Sequence, residues 1–263
     1  MPFTSPDLIL LAQALGLALA RVVGLILFVP FLTRQQTNGL IRSAICLAWS
    51  LPTAWALWPT LVDHPISMPL TVAYALKEAV LGALLGMLVA TPFWAVRGMG
   101  TLIDNQRGAN AAQQVNPSLQ ADATLLGELS ERALVALLIQ WGMLQTMWSV
   151  LIDSYSAWSI MQLLPDLGPA ARESILQALA GSVTDALLLA APALLLLLLI
   201  ELALAITSTA VQGFDVYSSA MAVKTLMALL ILMLTAPSVF QHAGENALGW
   251  WSEGLRDALG LRR

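Results

Sequence analysis

The chain reads as long apolar runs separated by short polar connections. Apolar residues dominate the segments 8–31, 40–62, 71–96, 129–152, 183–210 and 220–236. Each approaches or exceeds the ~20 residues that a helix needs to cross the hydrocarbon core of a bilayer. The run "LLLAAPALLLLLLI" at 187–200 does not alternate. A barrel strand would need alternating segments of ~10 residues. The pattern predicts an all-α, multi-helix membrane protein. A shorter segment, 242–261, sets Trp250 and Trp251 beside Glu253, Arg256 and Asp257. It predicts an amphipathic helix that lies at an interface or docks on a partner. Pro30, Pro52, Pro59, Pro92, Pro192 and Pro237 fall inside or at the ends of the apolar runs. Each removes a backbone donor and predicts a kink or a stop.

One polar interval is longer than the rest. Between the third and fourth runs, residues 105–120 carry the amides Asn105, Gln106, Asn110, Gln113, Gln114, Asn116 and Gln120, one charge, Arg107, and no aromatic side chain. From its composition alone this is a solvated connection.

Composition fits a membrane protein. The chain has 263 residues, of which 58% are hydrophobic and 11% charged. Soluble domains are about 25% charged. The net charge of −4 says little about partners, and no basic run points to nucleic acid. A single cysteine, Cys46, leaves no intrachain disulfide to form. No Lys or Arg precedes Arg21, so the N-terminal run lacks the basic start of a cleavable signal peptide and is expected to be retained. His64 and His242 are the two histidines, far apart in sequence. No metal-ligand spacing, nucleophile elbow or phosphate-binding glycine loop occurs. An enzyme, a metal or a cofactor is therefore not expected.

Away from the ends of the apolar runs, the ionisable residues Arg21, Lys77, Glu78, Glu201 and Lys224 stand out. A charge at mid-bilayer costs at least ~2.5 kcal/mol, so these must pair, face a wet cavity or sit outside lipid. Two readings are open. Buried charges fix how helices and subunits pack, or Glu78 or Glu201 is the coupling carboxylate of a stand-alone secondary transporter. Lys77 and Glu78 are adjacent, about 100° apart on a helix, and are expected not to pair with each other. Glu201 and Lys224 lie on consecutive runs and can meet across a hairpin. Small residues recur at Ala12, Gly16, Ala20 and Gly24, and again after Glu78 at Gly82 and Gly86. This spacing predicts close helix packing. Arg34 and Arg42, and then Arg97, Arg107 and Arg132, place the first and third connections in the cytoplasm. Arg256, Arg262 and Arg263 would then fall outside, so a plain six-span topology conflicts with its own charges.

Two stretches carry a family resemblance: "KEAVLGALLG…GTLIDNQRGANAAQQVNP" at 77–117 and "PALLLLLLIELALAITSTAVQGFDVYSSAMAVKTLMALLIL" at 192–232. With "FVPFLTRQ" at 28–35, they resemble the T component of the type III secretion export apparatus (the SctT/YscT/SpaR/HrcT group), which is homologous to flagellar FliR. The specific marks are Glu78 followed by glycines, Asp104-x-Gln106-x-Gly108, and the series Pro192, Glu201, Gln212, Lys224. The second stretch also looks like the small S (FliQ-like) component, with Pro192 early in its first helix and Lys224 early in its second. The resemblance implies bent helical hairpins, with an R-like (FliP-like) part at 1–180 fused to an S-like hairpin and C-terminal helix at 181–263. It implies a subunit of a helical export gate built with R (SctR) and S (SctS) subunits. The U (SctU/FlhB-like) switch protein and the V ring are implied neighbours, and unfolded substrates pass through. It implies a protein of the bacterial inner membrane, lifted toward the periplasm once assembled, with lipid around it and no nucleic acid partner.

The resemblance further implies a pore plug in a loop at about 106–122. The implied plug residues are Gln106, Arg107, Gly108, Ala109, Asn110, Ala111, Ala112, Gln113, Gln114, Val115, Asn116 and Pro117. The sequence departs from the family at two points. Flagellar relatives carry aromatics where Ala111 and Gln114 stand here, and often proline where Ala222 stands. The missing aromatics lean toward a virulence-type injectisome.

Overall fold

The computed structural model describes residues 5–33, 36–108, 124–162, 169–210 and 216–258. Among these residues the chain is helical and has no strand, as the apolar pattern predicts. Helix α1 spans Ser5–Phe28, α2 Gly39–Asp63, α3 Met68–Arg107, α4 Leu125–Gln140, α5 Met143–Ala157, α6 Pro169–Ala210 and α7 Val216–Gly249. A 3₁₀ turn, Pro30–Leu32, follows α1. A π turn, Trp250–Gly254, and a last helical turn, Leu255–Ala258, continue α7.

Three expectations change. Pro52, Pro59, Pro92, Pro192 and Pro237 all lie inside helices that run past them. A proline removes one rung of the ladder, whereas a full stop would free several groups with no water in lipid to take them up. The fourth apolar run is not one helix. It divides into α4 and α5, which meet at an 80° bend. Gly142 lies at the corner with φ +83°, a left-handed conformation that favours glycine. The amphipathic 242–261 segment is not a separate helix, because α7 passes into it without a break. Among the described residues, helices α1, α2, α3, α6 and α7 are long and apolar enough to cross a membrane, which makes five candidate spans, or six if the bent α4–α5 pair counts as one. The charge conflict of a plain six-span chain thus meets a fourth segment that is broken.

The chain forms two compact units. The first holds residues 1–91, 142–179 and 248–263. In it Ala14, Leu17 and Ala18 of α1 pack on Ala54, Leu57 and Leu61 of α2, with Ile160 in the same core. Helix α1 also touches α3 backbone to backbone. A Cβ at Gly82 would lie 2.8 Å from the Arg21 carbonyl carbon, one at Gly24 2.7 Å from the Ala83 nitrogen, and one at Gly86 3.0 Å from the Leu25 Cα. Gly16 takes no part, since a Cβ there meets nothing within 4 Å. Its position on the small-residue stripe lies toward the start of α1, beyond the crossing.

The second unit holds residues 92–141 and 180–247. There α3 and α4 approach through a glycine pair, and a Cβ at Gly100 would sit 2.6 Å from Gly127 Cα. The Trp141 ring lies over Gly244, whose absent Cβ would fall 3.1 Å from Trp141 Cε3. Helix α6 runs unbroken through positions 180 and 181.

Candidate functional site

Two polar constructions stand out, one in each unit. In the first unit Arg21 is fully buried, and all three guanidinium nitrogens have partners. Its Nε donates to Glu78 Oε2 at 2.6 Å, Nη1 to Ser154 Oγ at 3.0 Å and Nη2 to the Trp158 carbonyl at 2.7 Å. The Tyr155 ring covers the guanidinium, with Cζ 4.1 Å from the ring centroid. The tyrosine hydroxyl donates to the Ala18 carbonyl of α1 at 3.1 Å. Lys77 sits beside this knot. Its ammonium donates to the carbonyls of Ser159 and Ile160 at 3.0 Å and of Gln162 at 2.8 Å, just past the end of α5. Those carbonyls lie beyond the last turn of a helix, where a cation is favoured. Three segments, α1, α3 and the 154–162 stretch, are thus tied at one point by charge-assisted hydrogen bonds.

Lys77 Nζ also lies 2.7 Å from Glu78 Oε1, so the two neighbours do pair. A 100° separation of the two Cβ atoms does not limit where a long lysine stem ends. The long stem lets Nζ reach three carbonyls and the second carboxylate oxygen of Glu78 together.

In the second unit the D-x-Q-x-G motif divides its labour. Asp104 is fully buried. Its Oδ2 accepts from the Leu126 backbone N–H at 2.8 Å, capping an otherwise unpaired donor in the first turn of α4. Its Oδ1 takes Arg107 Nε at 2.8 Å and Nη2 at 2.7 Å. Gln106 points to another helix and donates to Glu201 Oε2 at 3.3 Å. Lys224 Nζ holds the same oxygen at 2.9 Å. Gly108 closes α3 with φ +92°, its N–H donating to the Asn105 carbonyl at 3.1 Å. The motif therefore ends one helix, starts the next and anchors both to the α6–α7 pair. Residues 109–123, between these two feet, lie outside the described residues. Farther down α3, Arg97 pairs with Glu131 of α4 at 3.2 Å.

Residues 12–248 match the model of the family described as Bacterial export proteins, family 1. The chain belongs to bacterial export family 1. It is 28% identical over 239 residues to Yop proteins translocation protein T of Yersinia pestis, covering 88% of this chain and 89% of that protein. It is 30% identical over 227 residues to the surface presentation of antigens protein SpaR of Salmonella typhimurium, covering 85% and 83%. It is 24% identical over 207 residues to the flagellar biosynthetic protein FliR of Bacillus subtilis, covering 76% and 78%. The export family and the apolar helices make this a multi-pass inner-membrane component of a secretion apparatus, which works together with other export subunits.

For this export protein the sequence singled out Arg21, Lys77 and Glu78, and the fold brings the three together. It also joins Glu201 to Lys224, but Glu201 is not a buried charge within the chain, its side chain being 54% exposed while that of Lys224 is 11% exposed. The apolar run around Glu201 suggested burial, yet that stretch of α6 presents much of its surface outward. Of the plug residues, Gln106, Arg107 and Gly108 are described, and Ala109 to Pro117 are not. Sequence reasoning missed Ser154, Tyr155 and Trp158, which complete the arginine's shell. Nothing local marks a serine or a tryptophan carbonyl for this task. Asp104 was visible in the motif, though its buried capping role was not.

A prediction follows from Asp104. Its replacement by alanine leaves the Leu126 N–H and Arg107 without their acceptor. The expected loss is about 2–4 kcal/mol for a buried group hydrogen-bonded to a cation and a cap. A lowered thermal midpoint in detergent checks it. A midpoint unchanged from that of the parent would contradict the capping role.

Proposed function

We propose that this chain is a non-catalytic, structural subunit of a type III secretion export gate. With R-like and S-like subunits it forms the inner-membrane portal through which unfolded proteins leave, next to the U switch protein and the V ring. Residues 1–180 act as the R-like part and residues 181–263 as the S-like part, and assembly lifts the portal toward the periplasm. The segment at about 106–122 contributes to closing the pore.

One observation carries this reading. The Asp104–Leu126 bond clamps the two ends of the segment, and the Gln106–Glu201–Lys224 chain ties its first foot to α6 and α7. A solvated connection needs no such anchorage, because water satisfies its ends. A plug does, because it must return to one place each time the pore closes. The segment's amides can bond to one another and to neighbouring backbone, so a closed state need not strand buried polar groups. The relatives named for protein translocation and for a secretion apparatus support the placement in a secretion machine.

The packing reading of the buried charges gains over the transporter reading. A coupling carboxylate must exchange partners with its cargo. Glu78 is enclosed between Arg21 and Lys77, with no exposed side-chain surface.

Deleting 109–116 tests the plug. The complex with R and S subunits is expected to assemble and co-purify as before, while cells or proteoliposomes holding it leak small solutes. Permeability equal to that of the intact complex would reject the plug. A purified chain that moves a small solute in liposomes without R and S would instead favour the transporter.

A further inference from the structure

Helix α3 carries a proline at position 92, one residue after Thr91 and in the middle of a fully packed stretch. Leu88, Val89, Ala90 and Phe93 all have no exposed surface. Proline has no N–H, and its ring crowds the carbonyl four residues earlier, which here is that of Leu88. In a soluble helix water would take up that oxygen. In this packed, apolar setting it needs a protein donor.

The donors come from the other end of the chain. Trp250 Nε1 donates to the Leu88 carbonyl at 3.1 Å, and Trp251 Nε1 donates to the next carbonyl, Val89, at 3.2 Å. The Thr91 hydroxyl also donates to Leu88 at 2.8 Å. The orphaned oxygen thus has both its lone pairs engaged. Trp251 is fully buried.

The local geometry around the two indoles serves this contact. The chain widens into a π turn at Trp250–Gly254, and the Leu255 N–H reaches five residues back to the Trp250 carbonyl. A wider turn brings successive side chains nearer one face, so two adjacent indoles address two adjacent carbonyls. Such turns are rare and often mark a site under functional constraint. Gly254 leaves the space that the Trp250 ring fills, since a Cβ there would lie 2.7 Å from Trp250 Cζ3. Arg256 fixes the turn from outside by pairing with Asp153 of α5 at 2.8 Å.

We propose that Trp250–Trp251 is a latch on α3, in which Trp250 supplies to the Leu88 carbonyl the hydrogen-bond donor that Pro92 lacks and Trp251 holds the neighbouring Val89 carbonyl. The proline keeps the ladder of α3 open at one rung, and the C-terminal π turn holds that opening in a defined state. Trp250 and Trp251 are positioning residues, and the C-terminal segment is a working part of α3.

The prediction is one of coupling. Cys46 is the single thiol and is buried, so its labelling by a thiol-reactive dye on heating reports unfolding of the full chain in detergent. In a Thr91→Val background Trp250 is the remaining side-chain donor to Leu88. There Trp250→Phe, which keeps an aromatic ring and removes the N–H, is expected to lower the labelling midpoint clearly. In the Thr91→Val, Pro92→Ala background the backbone N–H of residue 92 returns to Leu88. The same Trp250→Phe change is then expected to lower the midpoint by less than about half as much. Equal drops in the two backgrounds would mean that Trp250 acts by packing alone, and would overturn the latch.

If the valine background does not accumulate, the parent chain supplies a second test. With 15N-labelled tryptophan, the indole protons of Trp250 and Trp251 should exchange with solvent at least about tenfold more slowly than that of the exposed Trp55. Exchange as fast as that of Trp55 would also overturn the latch.

Discussion

Glu78→Ala is expected to destabilise the protein by about 3–5 kcal/mol, the range for breaking a buried pair from one side. The substitution removes one carboxylate and abandons two cations. Arg21, with no exposed surface, would keep Ser154 and the Trp158 carbonyl but lose its counter-charge. Lys77 would keep its three carbonyls. The damage should therefore concentrate on Arg21. A double variant, Arg21→Met with Glu78→Leu, removes both charges and replaces them with apolar stems of similar length. It is expected to recover much of the loss, because paired charges replaced by packed apolar groups are often close to neutral. Thermal midpoints in detergent, together with the amount of chain retained in membranes, check both. If the single and double variants fall equally, the site is a packing position and its charge is incidental.

Gly82→Leu should be worse, with a loss above about 4 kcal/mol, the range reached by severe core damage. Ordinary overpacking costs about 1–3 kcal/mol because side chains can move aside. Here the obstacle is the backbone of Arg21 itself, whose Cα would lie 2.9 Å from the new Cβ. Helix α1 would have to shift, pulling Arg21 off Glu78 and Trp158. The control is Gly16→Ala, on the small-residue stripe of α1 but beyond the crossing. That position is open, and the change should stabilise by up to about 1 kcal/mol through helix propensity alone. Comparable losses at both glycines would show that the α1–α3 contact does not form.

The helical class was legible because lipid leaves few options. Once the runs are long and apolar, each backbone group must bond within its own helix. Arg21, Glu78 and Lys77 were legible for the same reason, since a charge amid leucines demands a partner. The Lys77–Glu78 contact was not, because spacing on a helical wheel describes where a stem starts and not where a long stem ends. The break at Gly142 was hidden because "QWGMLQ" keeps the hydropathy of a span, and only the sign of one dihedral angle makes it a corner. Pro52, Pro59, Pro92, Pro192 and Pro237 did not end their helices. They marked where donors are missing, but the indole that makes up for one of them lies 162 residues from the carbonyl it serves. The export family, by contrast, was readable from the D-x-Q-x-G motif and the Glu78 glycines, since both are fixed by tight geometry that tolerates few substitutes.

The Asp104 clamp has a consequence for how the export family can vary. Asp104 and Leu126 are joined directly although 22 positions separate them. The chain between them is therefore closed into a ring by a bond between residues of the two helices. For such a ring the entropy of closure grows only with the logarithm of its length, about 0.6 kcal/mol for each doubling. Insertions, deletions and exchanges of aromatic for small residues inside the ring leave the frame around it almost untouched. Under the plug proposed above, the stopper could then be resized or retextured without rebuilding the helices that hold its ends.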